Sequence, residues 1–546
     1  MNNSDKKTLL GSTGLVGAFT LLSRVLGFVR DAMMTHFLGS SGAAAVFWIA
    51  FQIPHFLRRV VGEGSLSAFI VPVYSGIERE RGEADGWNYV SNVFNVFAVV
   101  TLILSAVLVL VPQPLFFLYG GSKYFYESGL EEQWRLGVRL TRIMMPFVML
   151  LALTSLLMGV LHARRHFLAP SMGSIIVNLI MILCGCAFAV IAGNPSNPLI
   201  DRMDALPSFE NRFVVVIAWA VILGGVLRVL ILLPPLLSRG WRWRPLFNWR
   251  DPGVIELARK MVPAFVGLAV YQFNLMVNMT LAAWISDAAV SYITYSQRLM
   301  QLPLAILATA MATAILPQLT SYVLEQRKVE LRGQLDFAYR ILAVVYLPAT
   351  VGLIVLGGPI VKFIFQSGEW TAADSAGTHF ALIFYALGLL AVGIQQILTP
   401  VYYAQKDMVS PVKFGAISVA VNLTLCLILM QTRLTYGGLA LAGTLSVMFN
   451  VCLLHRGQRE LIGPFFTARM LHSLWRTALA ALIMGAACYW GYGWTARALH
   501  VEGRLTVAMA ALAWVAAGIM IYVAACWLLQ LKELNSVMDI LRRRRK

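Results

Sequence analysis

The sequence predicts an all-α integral membrane protein of about fourteen transmembrane helices, arranged as two pseudo-symmetric six-helix lobes followed by two further helices. Three observations lead there. Hydrophobic residues fill 59% of the 546 positions and charged residues 13%, with a mean hydropathy of +0.72, more apolar surface than a soluble protein of this length needs. Apolar stretches of spanning length recur along the whole chain without strand-like alternation, so the backbone in lipid must satisfy itself as helix. Basic residues gather in alternate short loops, as in a polytopic protein with cationic cytoplasmic loops.

The expected spans are 9–37, 44–77, 88–112, 133–161, 167–192, 209–237, 253–284, 289–322, 333–365, 372–404, 409–431, 436–455, 470–494 and 504–530. The first follows Lys6 and Lys7 like a signal sequence, but it runs on through charged residues without a small-residue cleavage site and is read as a span. Loops on one side hold Arg79 and Arg81, Arg164 and Arg165, Arg239 to Arg250, Arg327 to Arg332, Lys406 and Lys413, Arg456 to Arg469, and the terminal RRRRK. The opposite loops hold little beyond Lys123, Arg202, Arg433 and Arg497, so both termini are expected in the cytoplasm. This distribution accounts for the net charge of +18 and argues against nucleic acid as a partner.

An internal repeat organises the spans. Ala45–Ile49 resembles Ala289–Ile293, and Phe69–Pro72 resembles Ala314–Pro317, an offset that carries the second helix onto the eighth in the same direction. The expected domains are an N-terminal lobe at 1–237, a basic linker at 238–252, a C-terminal lobe at 253–460, and helices 13–14 with a basic tail at 461–546. The linker, SRGWRWRPLFNWRD over Ser238–Asp251, reads either as a segment docking on anionic headgroups or as ordinary interfacial anchoring. The six cysteines lie in apolar segments with no CxxC pair and read as small buried hydrophobes.

Charges inside the spans point to the chemistry. Arg24 falls near the middle of the first span, where a guanidinium costs about 2.5–3.5 kcal/mol on insertion scales and needs a wet cavity. Arg30 and Asp31 follow it. The second span carries Arg58 and Arg59, then Gly62-Glu63-Gly64; Glu63 stands one turn beyond Arg59, and Pro54 with the two glycines favours a bend. Arg298 lies in the eighth span, within YSQRLM. Five arginines thus meet two carboxylates, Asp31 and Glu63, and the cationic surplus suits a phosphorylated substrate because guanidinium forks bind phosphate bidentately. Arg142 and Arg228 face either the same cavity or an interface. Asn92, Asn95, Asn178, Asn274, Asn278 and Asn422 read as interhelical hydrogen-bond partners, and His55 as a packing residue. With no Walker loop, no HExxH and no histidine–carboxylate cluster, the chain reads as a transporter, not an enzyme, with neither metal nor cofactor.

SRVLGFVRD in the first helix, PHFLRRVVGEGSLSAFIVP in the second and YSQRLMQLP in the eighth resemble the lipid II flippase family, MurJ or MviN, within the superfamily of multidrug and polysaccharide-lipid exporters. The resemblance covers essentially the whole chain. It implies a substrate, the undecaprenyl-pyrophosphate-linked disaccharide-pentapeptide precursor of peptidoglycan, moved to the periplasmic leaflet. It also implies that Arg24, Arg30, Arg58 and Arg298 bind substrate, that Asp31, Arg59 and Glu63 support them, and that helices 13–14 hold the polyprenyl tail. Gln52, Ala45 and Gln301 depart from the family pattern, which has lysine, aspartate and glutamate there. Expected partners are the precursor, membrane lipids and cell-wall synthesis proteins, with the chain a monomer.

The expected mechanism is alternating access between the lobes. A flippase for another polyprenyl-pyrophosphate-linked glycan is the nearest alternative. A cation exporter would want carboxylates where arginines stand, and a membrane glycosyltransferase would need acidic residues in larger outer loops.

Overall fold

The computed structural model describes residues 3–61, 65–192, 208–314, 316–464, 467–501, 503–531 and 533; at 3–16, 57–61, 65–69, 260–271, 306–314 and 316–317 it describes the backbone alone. Every regular element among these residues is helical, and the chain divides into two compact units, Met1–Asp287 and Ala288–Lys546.

The first unit contains α1 (Asn3–Leu38), α2 (Gly42–Val61), α3 (Ser65–Arg81), α4 (Glu83–Leu110), α5 (Pro112–Phe116), a π-helical turn (Phe117–Gly121), α6 (Ser122–Tyr126), α7 (Glu131–Met144), α8 (Pro146–Ala163), α9 (Leu168–Ala192), α10 (Phe209–Leu230), α11 (Leu233–Leu237) and α12 (Pro252–Ile285). Its core joins α3, α4 and α8 through Ile70, Tyr74, Val90, Leu156 and Val160, with Trp241 and Leu257 closing one end. α1 lies along α9, and α2 lies along α7. At the other end Gly120, at φ 122°, lets the π-helical turn approach α12 closely, where a β-carbon would touch the Met279 carbonyl at 3.4 Å.

The second unit contains α13 (Asp287–Ala314, its first residue still in the first unit), α14 (Leu316–Leu324), α15 (Lys328–Phe365), α16 (Ala372–Ala386), α17 (Leu389–Ala404), α18 (Val409–Leu429), α19 (Thr435–Gly457), α20 (Arg459–Ile462), α21 (Ala468–Ala498) and α22 (Arg504–Leu528). α15 is its spine: Leu335, Ile341 and Tyr346 pack with Leu398 and Leu454, and Leu356 packs with Ala480, Met484 and Tyr522 of the last two helices. Thr371 and Asp374 form a capping box that starts α16.

Among the described residues nine helices are long and apolar enough to cross a membrane, or ten if α16 and α17, bent by 45°, make one span. These ten match the expected spans 3–6 and 9–14. The expected spans 1, 2, 7 and 8 correspond to α1, α2 with α3, α12 and α13; they are helical but lie outside that count, so fourteen stays the sequence's number.

Two features differ from the sequence reading. α12, placed by the repeat in the C-terminal lobe, belongs to the first unit, because it packs on α2, α3 and the π-helical turn. Of the cysteines, Cys426, Cys488 and Cys526 are buried and Cys184 is half-buried, whereas Cys186 and Cys452 are exposed. A helix in lipid has an apolar outer face too, so an apolar neighbourhood in sequence does not decide burial there.

Candidate functional site

The SRVLGFVRD segment lies well inside α1, and its charges behave differently from one another. Arg30 is 6% exposed and Asp31 1%. The Arg30 guanidinium donates through Nε (3.0 Å) and Nη2 (2.7 Å) to Asp31 Oδ1, and through Nη1 (2.8 Å) to Asn178 Oδ1 on α9. Asn178 Nδ2 in turn donates to the Ser23 carbonyl, at 3.1 Å. Arg30 is thus neutralised by its own neighbour and locked to α9, as a buried charge requires. Asn178 is the interhelical partner its position suggested.

Arg24 stands apart. It is half-buried and makes no hydrogen bond or ion pair with any described residue. Pro54 lies inside α2, which ends at Val61 before α3 begins at Ser65. Gly62, Glu63 and Gly64, and the side chains of Arg58 and Arg59, lie outside the described residues. In the second unit Arg298 is half-buried on α13, in a polar stretch where Gln297 Nε2 donates to Tyr385 Oη (2.8 Å) and the Ser296 hydroxyl to the Tyr292 carbonyl (2.7 Å).

The other charged and polar groups of the spans have differing surroundings. Arg228 lies across Gly173 so closely that a β-carbon there would meet its Nε at 2.6 Å, and its Nη2 approaches Met158 Sδ at 3.8 Å. His55 sits edge-on to Phe51 and Phe147, with ring centroids at 4.3 and 6.2 Å. Arg142, on α7, is exposed. Among the described residues no three histidine, cysteine or carboxylate side chains cluster as metal ligands.

The basic segment 238–251 is an extended strap bound along α4. Asn92 brackets Asn248, donating to its carbonyl (3.0 Å) and accepting from its amide (2.6 Å). Asn95 donates to the carbonyls of Arg244 (2.7 Å) and Leu246 (2.8 Å), and buried Trp241 donates to the Ser91 hydroxyl (3.1 Å). Asn92 and Asn95 therefore hold loop backbone, not another helix, because α4 at this height faces the strap. Trp243, Phe247 and Trp249 stay more than half exposed beside Arg242, Arg244 and Arg250, an amphipathic edge suited to an interface. At the strap's start Arg239 Nη2 meets His166 Nδ1 at 3.0 Å; burial and that guanidinium hold the His166 imidazole below its ordinary pKa. The cleft beside the strap is lined by Glu80, Asp85, Asp251 and Glu256 with Arg81, too acidic to receive a diphosphate.

Asn92→Ala should free the strap while leaving the spans in place. Losing both Asn248 bonds costs about 1–3 kcal/mol locally, so tryptic cleavage after Arg242 and Arg250 should rise by roughly tenfold or more. Cleavage at the parental rate would show that the strap is held by its apolar contacts instead.

The sequence reading missed that Arg142 belongs to a row with Arg135 and Arg139; the i, i+4, i+7 spacing was legible but was absorbed into an apolar span. It also missed the ion pair of Lys123 Nζ with Asp287 Oδ1 (3.0 Å), where Tyr124 Oη also donates (2.9 Å), and the network of Asp336, Arg340, Thr467 and Glu533. Only folding brings Lys123 to Asp287, and Thr467 and Glu533 to the Asp336–Arg340 pair, itself an i, i+4 contact on α15.

Comparison with known proteins supplies the family. The family model described as lipid II flippase MurJ matches residues 34–509. A probable lipid II flippase MurJ of Vibrio cholerae is 30% identical over 519 residues, covering 92% of this chain and 95% of the relative. A lipid II flippase MurJ of Burkholderia cenocepacia is 29% identical over 535 residues, covering 95% and 96%. A solved lipid II flippase MurJ in an inward closed conformation shares the fold, with TM-score 0.72 at 23% identity over 94% of this chain and 98% of that one. An inward-facing multidrug resistance MATE family transporter shares it more distantly, with TM-score 0.62 at 15% identity over 80% and 94%. The motifs around Arg24 and Arg298 and a match running through both units lead to one conclusion: the chain belongs to the lipid II flippase MurJ family.

Proposed function

We propose that this chain is a lipid II flippase, a transporter and not an enzyme, that carries the undecaprenyl-pyrophosphate-linked disaccharide-pentapeptide from the cytoplasmic to the periplasmic leaflet. The match to lipid II flippases over residues 34–509 carries the reading. The charge chemistry supports it: Arg24, half-buried in α1 and without a partner among the described residues, has donors left for a diphosphate, with Arg298, Arg58 and Arg59 as further cations and Glu63 as a counter-charge. Pro54, inside α2, is the candidate hinge of this reading. Arg30 and Asp31 act in this reading as the support that fixes α1 against α9.

Transport runs by alternating access, the headgroup crossing in a hydrated path and the tail staying in lipid. The loop charges favour cytoplasmic termini in the bacterial inner membrane. With the cell interior negative, each negative charge moved outward gains about 2.3 kcal/mol per 100 mV, so the potential drives a diphosphate outward. The chain works as a monomer.

Depleting the chain and measuring the precursor leaflet by leaflet tests this. The cytoplasmic pool should rise while the outer pool falls. An unchanged distribution would overturn the assignment, and accumulation of a different polyprenyl-linked glycan would reassign the substrate.

A further inference from the structure

α7 presents two unlike faces. Leu136, Gly137, Leu140, Thr141 and Met144 are buried, while Arg135, Arg139 and Arg142 stand exposed in a row on the opposite side. Arg139 and Arg142 make no hydrogen bond or ion pair with any described residue, and the charged neighbour of Arg135 is Glu131, one turn back. Three guanidiniums are thus held out on a rigid helix.

Their depth follows from helix geometry. α7 and α8 form one span, Glu131–Ala163, leading to Arg164, which is tied by Nη2 to Glu78 (2.9 Å) and Glu83 (2.6 Å). Arg142 precedes Arg164 by 22 residues, about 33 Å of helix, close to the roughly 30 Å hydrocarbon thickness. With Arg164 at the cytoplasmic interface, Arg142 stands at the outer one; Arg139 and Arg135 rise about 4.5 and 10 Å beyond it. The positive-inside tendency keeps that side poor in cations, so an exposed arginine row there needs a reason other than topology.

Headgroup reach decides between occupants. Each phospholipid headgroup layer is only about 5–7 Å deep, so a phospholipid phosphate meets Arg142 and falls short of Arg135. A headgroup with a diphosphate at the membrane surface and a peptide carrying carboxylates above it spans the whole row. We propose that Arg135, Arg139 and Arg142 form an outer-face docking track for the headgroup of the lipid-linked glycopeptide after it has crossed, with Arg142 on the diphosphate and Arg139 and Arg135 on the peptide carboxylates. The track gives the product a place to leave to, and it rests on the transport direction and substrate proposed above.

The test uses the full chain in nanodiscs, with the undecaprenyl-pyrophosphate-linked disaccharide-pentapeptide, a polyprenyl-pyrophosphate-linked polysaccharide unit lacking the peptide, and phosphatidylglycerol as separate probes. The triple variant Arg135→Gln, Arg139→Gln, Arg142→Gln should bind the glycopeptide lipid about tenfold more weakly, as three exposed charge contacts allow, and phosphatidylglycerol nearly as well as the parent. A triple lysine variant should recover part of the loss. An unchanged melting temperature separates lost binding from misfolding. Unaltered glycopeptide-lipid binding by the glutamine variant would overturn the track, as would an equal loss for phosphatidylglycerol. Failure of the parent chain to bind the glycopeptide lipid, with arginine-dependent binding of the peptide-free glycolipid, would overturn the substrate and the carboxylate contacts together while leaving the diphosphate contact at Arg142.

Discussion

Asp31→Ala should lower the thermal stability of the purified protein by the equivalent of about 3–5 kcal/mol, the usual cost of removing one partner from a buried ion pair. Asp31 is 1% exposed, and its Oδ1 takes two of the hydrogen bonds that the Arg30 guanidinium donates. Without it, a buried guanidinium keeps Asn178 alone among its three recorded bonds. Arg30→Ala should destabilise as well, because it takes two hydrogen bonds from the buried Asp31 carboxylate. The double substitution Arg30→Met with Asp31→Leu, which removes both charges and keeps apolar volume, should regain most of the lost stability. Thermal melts in detergent read the first effect, and complementation of a depleted strain separates the roles. A stable double variant that still supports growth would assign Arg30 to the scaffold. A stable but inactive one would return it to the substrate site. Parental stability in Asp31→Ala would rule out the buried pair.

The second large effect should fall on function and not on stability. Arg24→Ala should abolish complementation while leaving the melting temperature nearly unchanged, because Arg24 has no partner among the described residues to lose. Arg298→Ala should abolish it as well. Each guanidinium offers a phosphate a charge-assisted fork, and losing about 3 kcal/mol of that interaction corresponds to roughly a hundredfold. Lysine at either position should restore activity partly, supplying the charge without the fork. Growth supported fully by both alanine variants would count against a guanidinium-bound diphosphate. A large fall in melting temperature for Arg24→Ala would point to a structural role for Arg24 as well.

The two tests differ because neighbouring charges in one nine-residue segment have different surroundings. Spacing placed Arg24, Arg30 and Asp31 together on α1, and their residue types suggested a common cationic pocket. Folding divides them: Asn178, 148 residues away in sequence, takes up Arg30, while Arg24 has no partner among the described residues. The strap follows the same logic. Its arginines and tryptophans suggested an interfacial linker, but nothing in SRGWRWRPLFNWRD indicates that Asn92 and Asn95 of α4 hold its backbone.

What the sequence by itself determined is the class and the family: helical spans, the positions of charges within them, and the motifs around Arg24 and Arg298. Hydropathy and helical period are properties of short stretches, and lipid allows so few backbone solutions that short stretches suffice. Tertiary structure alone decided which guanidinium is neutralised, that α12 packs with the first unit, and that the arginines of α7 stand on an exposed face. Those outcomes depend on which distant segment fills the space beside a side chain, and a buried charge takes its partner from whatever packing brings within about 3 Å.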